Sequence, residues 1–79
     1  MNIRIRTFGI AREIVGGSVI VTEADFRTVG GLREHLIARY PALKELKSIF
    51  IAVNLNYAED DVELREGDEI AVIPPVSGG

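Results

Sequence analysis

Cysteine is absent from this chain, and histidine occurs once, as His35. Without thiols there can be no disulfide, no thiolate metal site and no cysteine nucleophile. A lone histidine cannot assemble a metal centre or the base of a histidine triad, and His35 is given no role. No apolar run approaches the roughly 18 residues that a membrane span requires. The opening Met1-Asn2-Ile3-Arg4-Ile5-Arg6 alternates apolar and polar residues, which is not the pattern of a secretory signal. The expectation is a cytoplasmic protein with no membrane partner. A basic excess is also missing. Net charge is −3, so the face that nucleic acid needs is not indicated. Arg4, Arg6, Arg12 and Arg27 read as solvated strand edges and loops.

What remains is an ordinary globular balance, 47% apolar and 27% charged, in 79 residues. This length makes one domain, residues 1–79, burying only about 60–65% of its unfolded surface. Period-two alternation over residues 2–8 predicts a strand with Ile3, Ile5 and Thr7 on one side and Arg4, Arg6 and Phe8 on the other. Ile10 and Ile14 at helical spacing predict a short helical turn over 9–15, ended by Gly16-Gly17. The β-branched stretch 18–23 predicts a second strand, antiparallel to the first. Thr28 is placed to cap a helix running to about Arg39, with Val29, Leu32, Leu36 and Tyr40 in one apolar stripe. Gly30-Gly31 at its start could cradle phosphate, but nothing else in the chain supports that, so close packing or simple drift is the preferred reading. Pro41 stops the helix.

Residues 49–53 predict a third strand, and Asn54-Leu55-Asn56 turns it into a short return at Tyr57-Ala58. Glu59-Asp60-Asp61 lacks the spacing of a calcium loop and reads as solvated, so no metal site is expected. Gly67 is expected at positive φ in the turn before a last strand over 70–74. Pairing the first strand with the last, with the helix across one face, gives an α+β roll. It is of the β-grasp, ubiquitin-like kind: a mixed sheet of four to five strands with one main helix on one face.

The chain ends Ile73-Pro74-Pro75-Val76-Ser77-Gly78-Gly79. Two prolines stiffen the exit, and two residues without side chains carry the terminal carboxylate. A flexible tail over about 75–79 could enter a narrow active site where any Cβ would clash. The expected reactive group is therefore the carboxylate of Gly79, presented through Gly78.

Several blocks resemble one family over nearly the whole chain. They are Phe8-Gly9-Ile10-Ala11-Arg12-Glu13-Ile14-Val15-Gly16, Thr28-Val29 with Leu32-Arg33, Ala52-Val53-Asn54, and Gly67-Asp68-Glu69-Ile70-Ala71 leading into the Pro-Pro-Val-Ser-Gly-Gly end. Together they resemble the MoaD family, the small subunits of molybdopterin synthase among the ubiquitin-like sulfur carriers. The family often carries aromatics where this chain has Val72 and Ile73, and Gly31 departs from a helix-favouring pattern.

The resemblance implies a sulfur carrier rather than an enzyme. No cofactor would be bound. An E1-like enzyme would use ATP to adenylate Gly79, a sulfur donor would leave a thiocarboxylate there, and the large catalytic subunit would pass the sulfur to a pterin precursor of the molybdenum or tungsten cofactor. A heterotetramer with that large subunit is implied. Phe8, Phe50 and Ile73 are expected to form an outward apolar patch for the partner, with Arg12 pairing beside it and Pro74, Pro75, Val76 and Ser77 contributing along the exit. Two alternatives share the fold and tail: a thiamine-pathway sulfur carrier, and a ubiquitin-like modifier joined to lysine.

Overall fold

The computed structural model describes residues 1–46 and 48–75. Five strands form one mixed sheet: β1 (Asn2–Thr7), β2 (Val19–Glu23), β3 (Phe50–Val53), β4 (Asn56–Tyr57) and β5 (Ile70–Ile73), in the spatial order β2-β1-β5-β3-β4. β1 pairs antiparallel with β2 and parallel with β5, and β5 pairs antiparallel with β3. Helix α1 spans Gly9–Val15, α2 spans Val29–Arg39, and a 3₁₀ helix covers Pro41–Glu45. This is the expected β-grasp, α+β architecture. Among the described residues no helix is long and apolar enough to cross a membrane.

Alternation in β1 does what period two requires of a strand with one buried face. Ile3, Ile5 and Thr7 are buried, while Asn2, Arg4 and Arg6 are exposed. Thr7 is polar, and its Oγ1 donates to Gly17 O. The apolar stripe of α2 inserts Val29, Leu32 and Leu36 among Ile3, Ile5, Leu43, Ile51, Leu64, Ile70 and Val72. Fully burying each such side chain is worth about 1.5–3 kcal/mol. The stripe ends at Tyr40, half-buried, whose N–H bonds to Leu36 O before Pro41 opens the 3₁₀ helix.

The start of α2 explains its glycines. A helix leaves its first N–H groups without intrahelical partners. Here Val29 N–H bonds to Val62 O, Gly30 N–H to Asp60 O and Gly31 N–H to Thr28 Oγ1. Strap 60–64 and the Thr28 cap together therefore occupy the donors that a phosphate would need. The strap also lies so close that a Cβ on Gly30 would sit 3.2 Å from Asp60 O, while one on Gly31 would sit 2.7 Å from Cβ of Phe26, in the loop before the helix. Arg33 pairs with Asp60 and donates to Ile49 O, tying the strap to the helix; Asp60 of the acidic run is thus engaged rather than simply solvated.

One detail differs from the helical spacing in the sequence. α1 buries Ala11, while Ile10 is exposed and Ile14 only half-buried. Gly9 opens the helix at φ +55, a left-handed conformation that glycine adopts without strain.

Gly31→Ala should gain about 1 kcal/mol in helix propensity and lose about 1–3 kcal/mol to forced displacement of Phe26. The expected net is a destabilisation of about 1 kcal/mol, read as a lower urea midpoint. Gly17→Ala, whose Cβ would meet only Val19 O at 3.8 Å, should leave the midpoint nearly unchanged.

Candidate functional site

The site is built on the outer face of the sheet, opposite α2. In β5, Ile70 and Val72 point inward, leaving Ala71 and Ile73 outward. Phe50 lies opposite Ile73, and Ala52 sits between Ala71 and Tyr57. Phe50 and Tyr57 stack with centroids 5.4 Å apart and planes inclined by 26°. Phe8 follows β1 directly and serves as the N-cap of α1 without a side-chain cap bond. The register Thr7↔Val72 carries it alongside Ile73. Phe8, Ile73, Tyr57 and Leu55 border a depression of about 390 Å³ floored by Ala52 and Ala71, with Arg6 and Glu69 at its rim. The expected patch of Phe8, Phe50 and Ile73 is thus assembled, with both phenylalanines exposed.

Leu55 and Tyr57 also belong to this surface and were not among the expected residues. Leu55 is 90% exposed at the tip of the β3–β4 hairpin. Asn54 and Leu55 form a two-residue connection with φ of 52° and 72°. Positive φ at both positions suits Asn followed by Gly, not Leu. Asn54 holds the tip in place. Its side chain donates to Asp68 and accepts from Glu69 N–H, and its own N–H bonds to Glu69 O. Asp68 also caps its turn by accepting from Arg65 N–H. So Ala52-Val53-Asn54 and Gly67-Asp68-Glu69, apart in sequence, meet under the depression. Gly67 has φ +90, as its turn requires.

The chain leaves β5 beside α1. Pro74 is buried, and a Cβ on Gly9 would lie 3.2 Å from its Cγ. Pro74 therefore contributes position rather than exposed surface. Pro75 is half-buried. Arg12 is exposed one helical turn from the Gly9–Pro74 contact. Val76, Ser77, Gly78 and Gly79 lie outside the described residues, and with them most of the expected tail. His35, without an assigned role, faces Thr22 Oγ1 at 3.0 Å through Nε2 and tilts against Phe26. That contact ties α2 to β2 and has no bearing on the outer face. No group of three or more potential metal ligands occurs among the described residues.

A match to the ThiS family covers residues 5–79. The chain is 39% identical over 80 residues to the molybdopterin synthase sulfur carrier subunit of Escherichia coli K12, spanning 98% of this chain and 99% of that one. It superposes on SAMP1, the small archaeal modifier protein 1 of Haloferax volcanii, with TM-score 0.83 and 27% identity over 100% of both chains. A chain in the complex of subunits 1 and 2 of molybdopterin-converting factor from Helicobacter pylori 26695 matches with TM-score 0.69 and 30% identity, again over 100% of both.

Leu55→Gly should relieve a left-handed backbone costing about 1 kcal/mol while sacrificing almost no buried area. The expected outcome is a stability equal to or up to about 1 kcal/mol above the parent, measured by urea unfolding.

Proposed function

The chain belongs to the ThiS family, and on that premise we propose that it is a sulfur carrier, the small subunit of a molybdopterin synthase. Its Gly79 carboxylate is converted to a thiocarboxylate and gives up its sulfur to a pterin precursor in the large subunit. The observation that carries this reading is the apposition of two features: an exposed apolar face, and a chain exit fixed at its margin by Pro74 against Gly9. The likeness to a sulfur carrier subunit and to a chain found in complex with a second subunit supports it.

The chemistry explains why partners are needed. An α-carboxyl group ionises at about pH 3.3–3.7 and is a poor acyl donor at neutral pH. The chain has no cysteine to carry sulfur on a side chain. An E1-like enzyme therefore supplies ATP. A Gly79 carboxylate oxygen attacks the α-phosphorus, pyrophosphate leaves, and an acyl adenylate results. A sulfur nucleophile from the donor then attacks the acyl carbon, and AMP departs with the bonding electrons. The products are AMP and the thiocarboxylate.

Ordering Gly78 and Gly79 in a partner's active site costs roughly 1–2 kcal/mol of backbone entropy per residue. Contacts of the body must offset this, and the outer face offers them. Phe8, Phe50, Tyr57, Leu55 and Ile73 dock the partner, Arg12 lies beside the exit, and Pro74-Pro75 leads from β5 into Val76-Ser77-Gly78-Gly79. A second reading is favoured by the likeness to SAMP1: the same carboxylate is joined to lysine on other proteins.

Mass spectrometry of the chain isolated from its native cell tests both readings. A thiocarboxylate appears as replacement of one oxygen by sulfur at Gly79. A modifier appears instead as lysine-linked conjugates. Absence of both forms at Gly79 would defeat the proposal. Removing Gly79 should abolish sulfur transfer and leave the unfolding midpoint nearly unchanged. Phe50→Ala should weaken binding of the large subunit by about tenfold or more, the loss typical of a buried aromatic anchor, in a titration followed by calorimetry. Loss of the fold in that variant would place Phe50 among the structural residues.

A further inference from the structure

The sheet has two free edges, and they are built differently. β4 is a two-residue strand, too short to recruit a neighbour. The opposite edge is β2, Val19-Ile20-Val21-Thr22-Glu23. Four of its five residues are β-branched, and it contains no proline, glycine or lysine. Edges are normally blunted by such residues, by bulges or by a covering segment. Register identifies which backbone groups stay open. Thr7 N–H bonds to Ser18 O, and Ala24 N–H to Met1 O. Bonding alternates along an antiparallel ladder. Ser18, Ile20, Thr22 and Ala24 therefore direct their backbone groups toward β1, whereas Val19, Val21 and Glu23 direct theirs away from the sheet. Val19 and Val21 are also 41% and 59% exposed.

We propose that this edge pairs antiparallel with β2 of a second copy of the chain, with Val21 on the two-fold axis. Val21 then faces its own counterpart, and Val19 faces Glu23 of the second copy. Each pair exchanges two backbone hydrogen bonds through groups that point outward already. Charge selects both the occupant and the register. Arg6 lies beside Val19 in the β1–β2 ladder. Glu23 of the second copy therefore comes two strand spacings from Arg6, roughly 9.5 Å, a gap that the two long side chains span over Val19. Among the described residues the only ion pair is Arg33–Asp60, so Arg6 and Glu23 are not committed elsewhere. Centring the pair on Glu23 would set two carboxylates face to face. Slipping by one residue would turn the apolar set to the wrong side. The two-fold lies beyond β1 from the β5–β3–β4 surface, so the outer-face depression stays open in both copies. The inference is independent of what happens at Gly79.

Sedimentation equilibrium of the full chain from micromolar to millimolar concentration tests this, alongside residue-resolved amide exchange. A reversible dimer is expected. The amides of Val19, Val21 and Glu23 should exchange more slowly as concentration rises, while those of Ile20 and Thr22 stay as they were. Val21→Lys sets two ammonium groups opposite each other beside Arg4 of each copy. It should raise the dimer dissociation constant by about tenfold. Should that variant fail to fold, charge reversal decides: Arg6→Glu should weaken the dimer, and Arg6→Glu combined with Glu23→Arg should restore it. The proposal is overturned by a monomer across the whole range, by a dimer in which those amides are unchanged, or by a dimer indifferent to the reversal. It is equally overturned if a different extended polypeptide protects the same amides while the chain itself stays monomeric.

Discussion

Parallel pairing of β1 with β5 is the constraint on which the rest of the molecule depends. It joins the beginning of the chain to its end in the middle of the sheet, through Ile5↔Ile70, Arg6↔Ala71 and Thr7↔Val72. Ile5, Ile70 and Val72 go inward to meet α2, and Arg6 and Ala71 go outward. One residue further along each strand, Phe8 arrives beside Ile73. One more, and Gly9 meets Pro74. The apolar rim and the chain exit are therefore consequences of a single register. A slip of one residue would reverse every side chain of β5 and take the exit away from α1. This contact is also the most remote in sequence, so closing it costs loop entropy that the buried isoleucines must repay.

The outer face is where stability has been given up. A leucine at φ +72 with nine-tenths of its surface in water does nothing for the folded state. Strain of this kind persists only where surrounding structure over-determines it. Here the restraint is Asn54, held from both sides by Asp68 and Glu69. The hairpin tip is thus clamped by polar bonds while it displays an apolar side chain. Exposed apolar residues scattered singly need no explanation. Phe8, Leu55, Tyr57 and Ile73 are contiguous around one depression, with Phe50 stacked on Tyr57 beside it, and contiguity is what marks a surface meant to be covered.

Much of the fold was legible because its cues are local. The alternation of residues 2–7 named the buried face of β1, Thr28 named the start of α2, and Gly67 its turn. What was not legible depends on neighbours brought in by tertiary structure. Gly31 read as a departure from helix chemistry. Its reason is Phe26 Cβ, five residues earlier and across a loop. The short helix expected over 9–15 formed, but the burial of Ala11 rather than Ile10 could not be read from the spacing of Ile10 and Ile14. For the site, Phe8, Phe50 and Ile73 could be grouped once strands one and five were paired. Leu55 and Tyr57 were missed although the return was expected, because the turn was read as Asn54-Leu55-Asn56, one residue longer than the Asn54-Leu55 connection that pairs Tyr57 with Ala52. An apolar residue where a two-residue hairpin wants glycine was the available signal. The role given to Gly78-Gly79 remains part of the proposal, since both lie outside the described residues.

Separating recognition from reaction has a physical logic in a chain this small. A carrier that is charged by one protein and discharged by another must leave each in turn. Tight docking would stall it, yet two glycines entering an active site bring an entropic cost and almost no contact area. Affinity must then come from the rigid body and remain moderate, which a compact apolar depression with a mixed-charge rim of Arg6 and Glu69 provides. In the proposed cycle charging and discharging would draw on the same face, so the two partners would exclude each other and order would be imposed without any switch in the carrier. Self-association through β2 would leave the depression open, although the two surfaces share Arg6 of β1. A paired carrier would offer two such faces at once, raising the local concentration of charged ends around a partner that itself binds more than one copy.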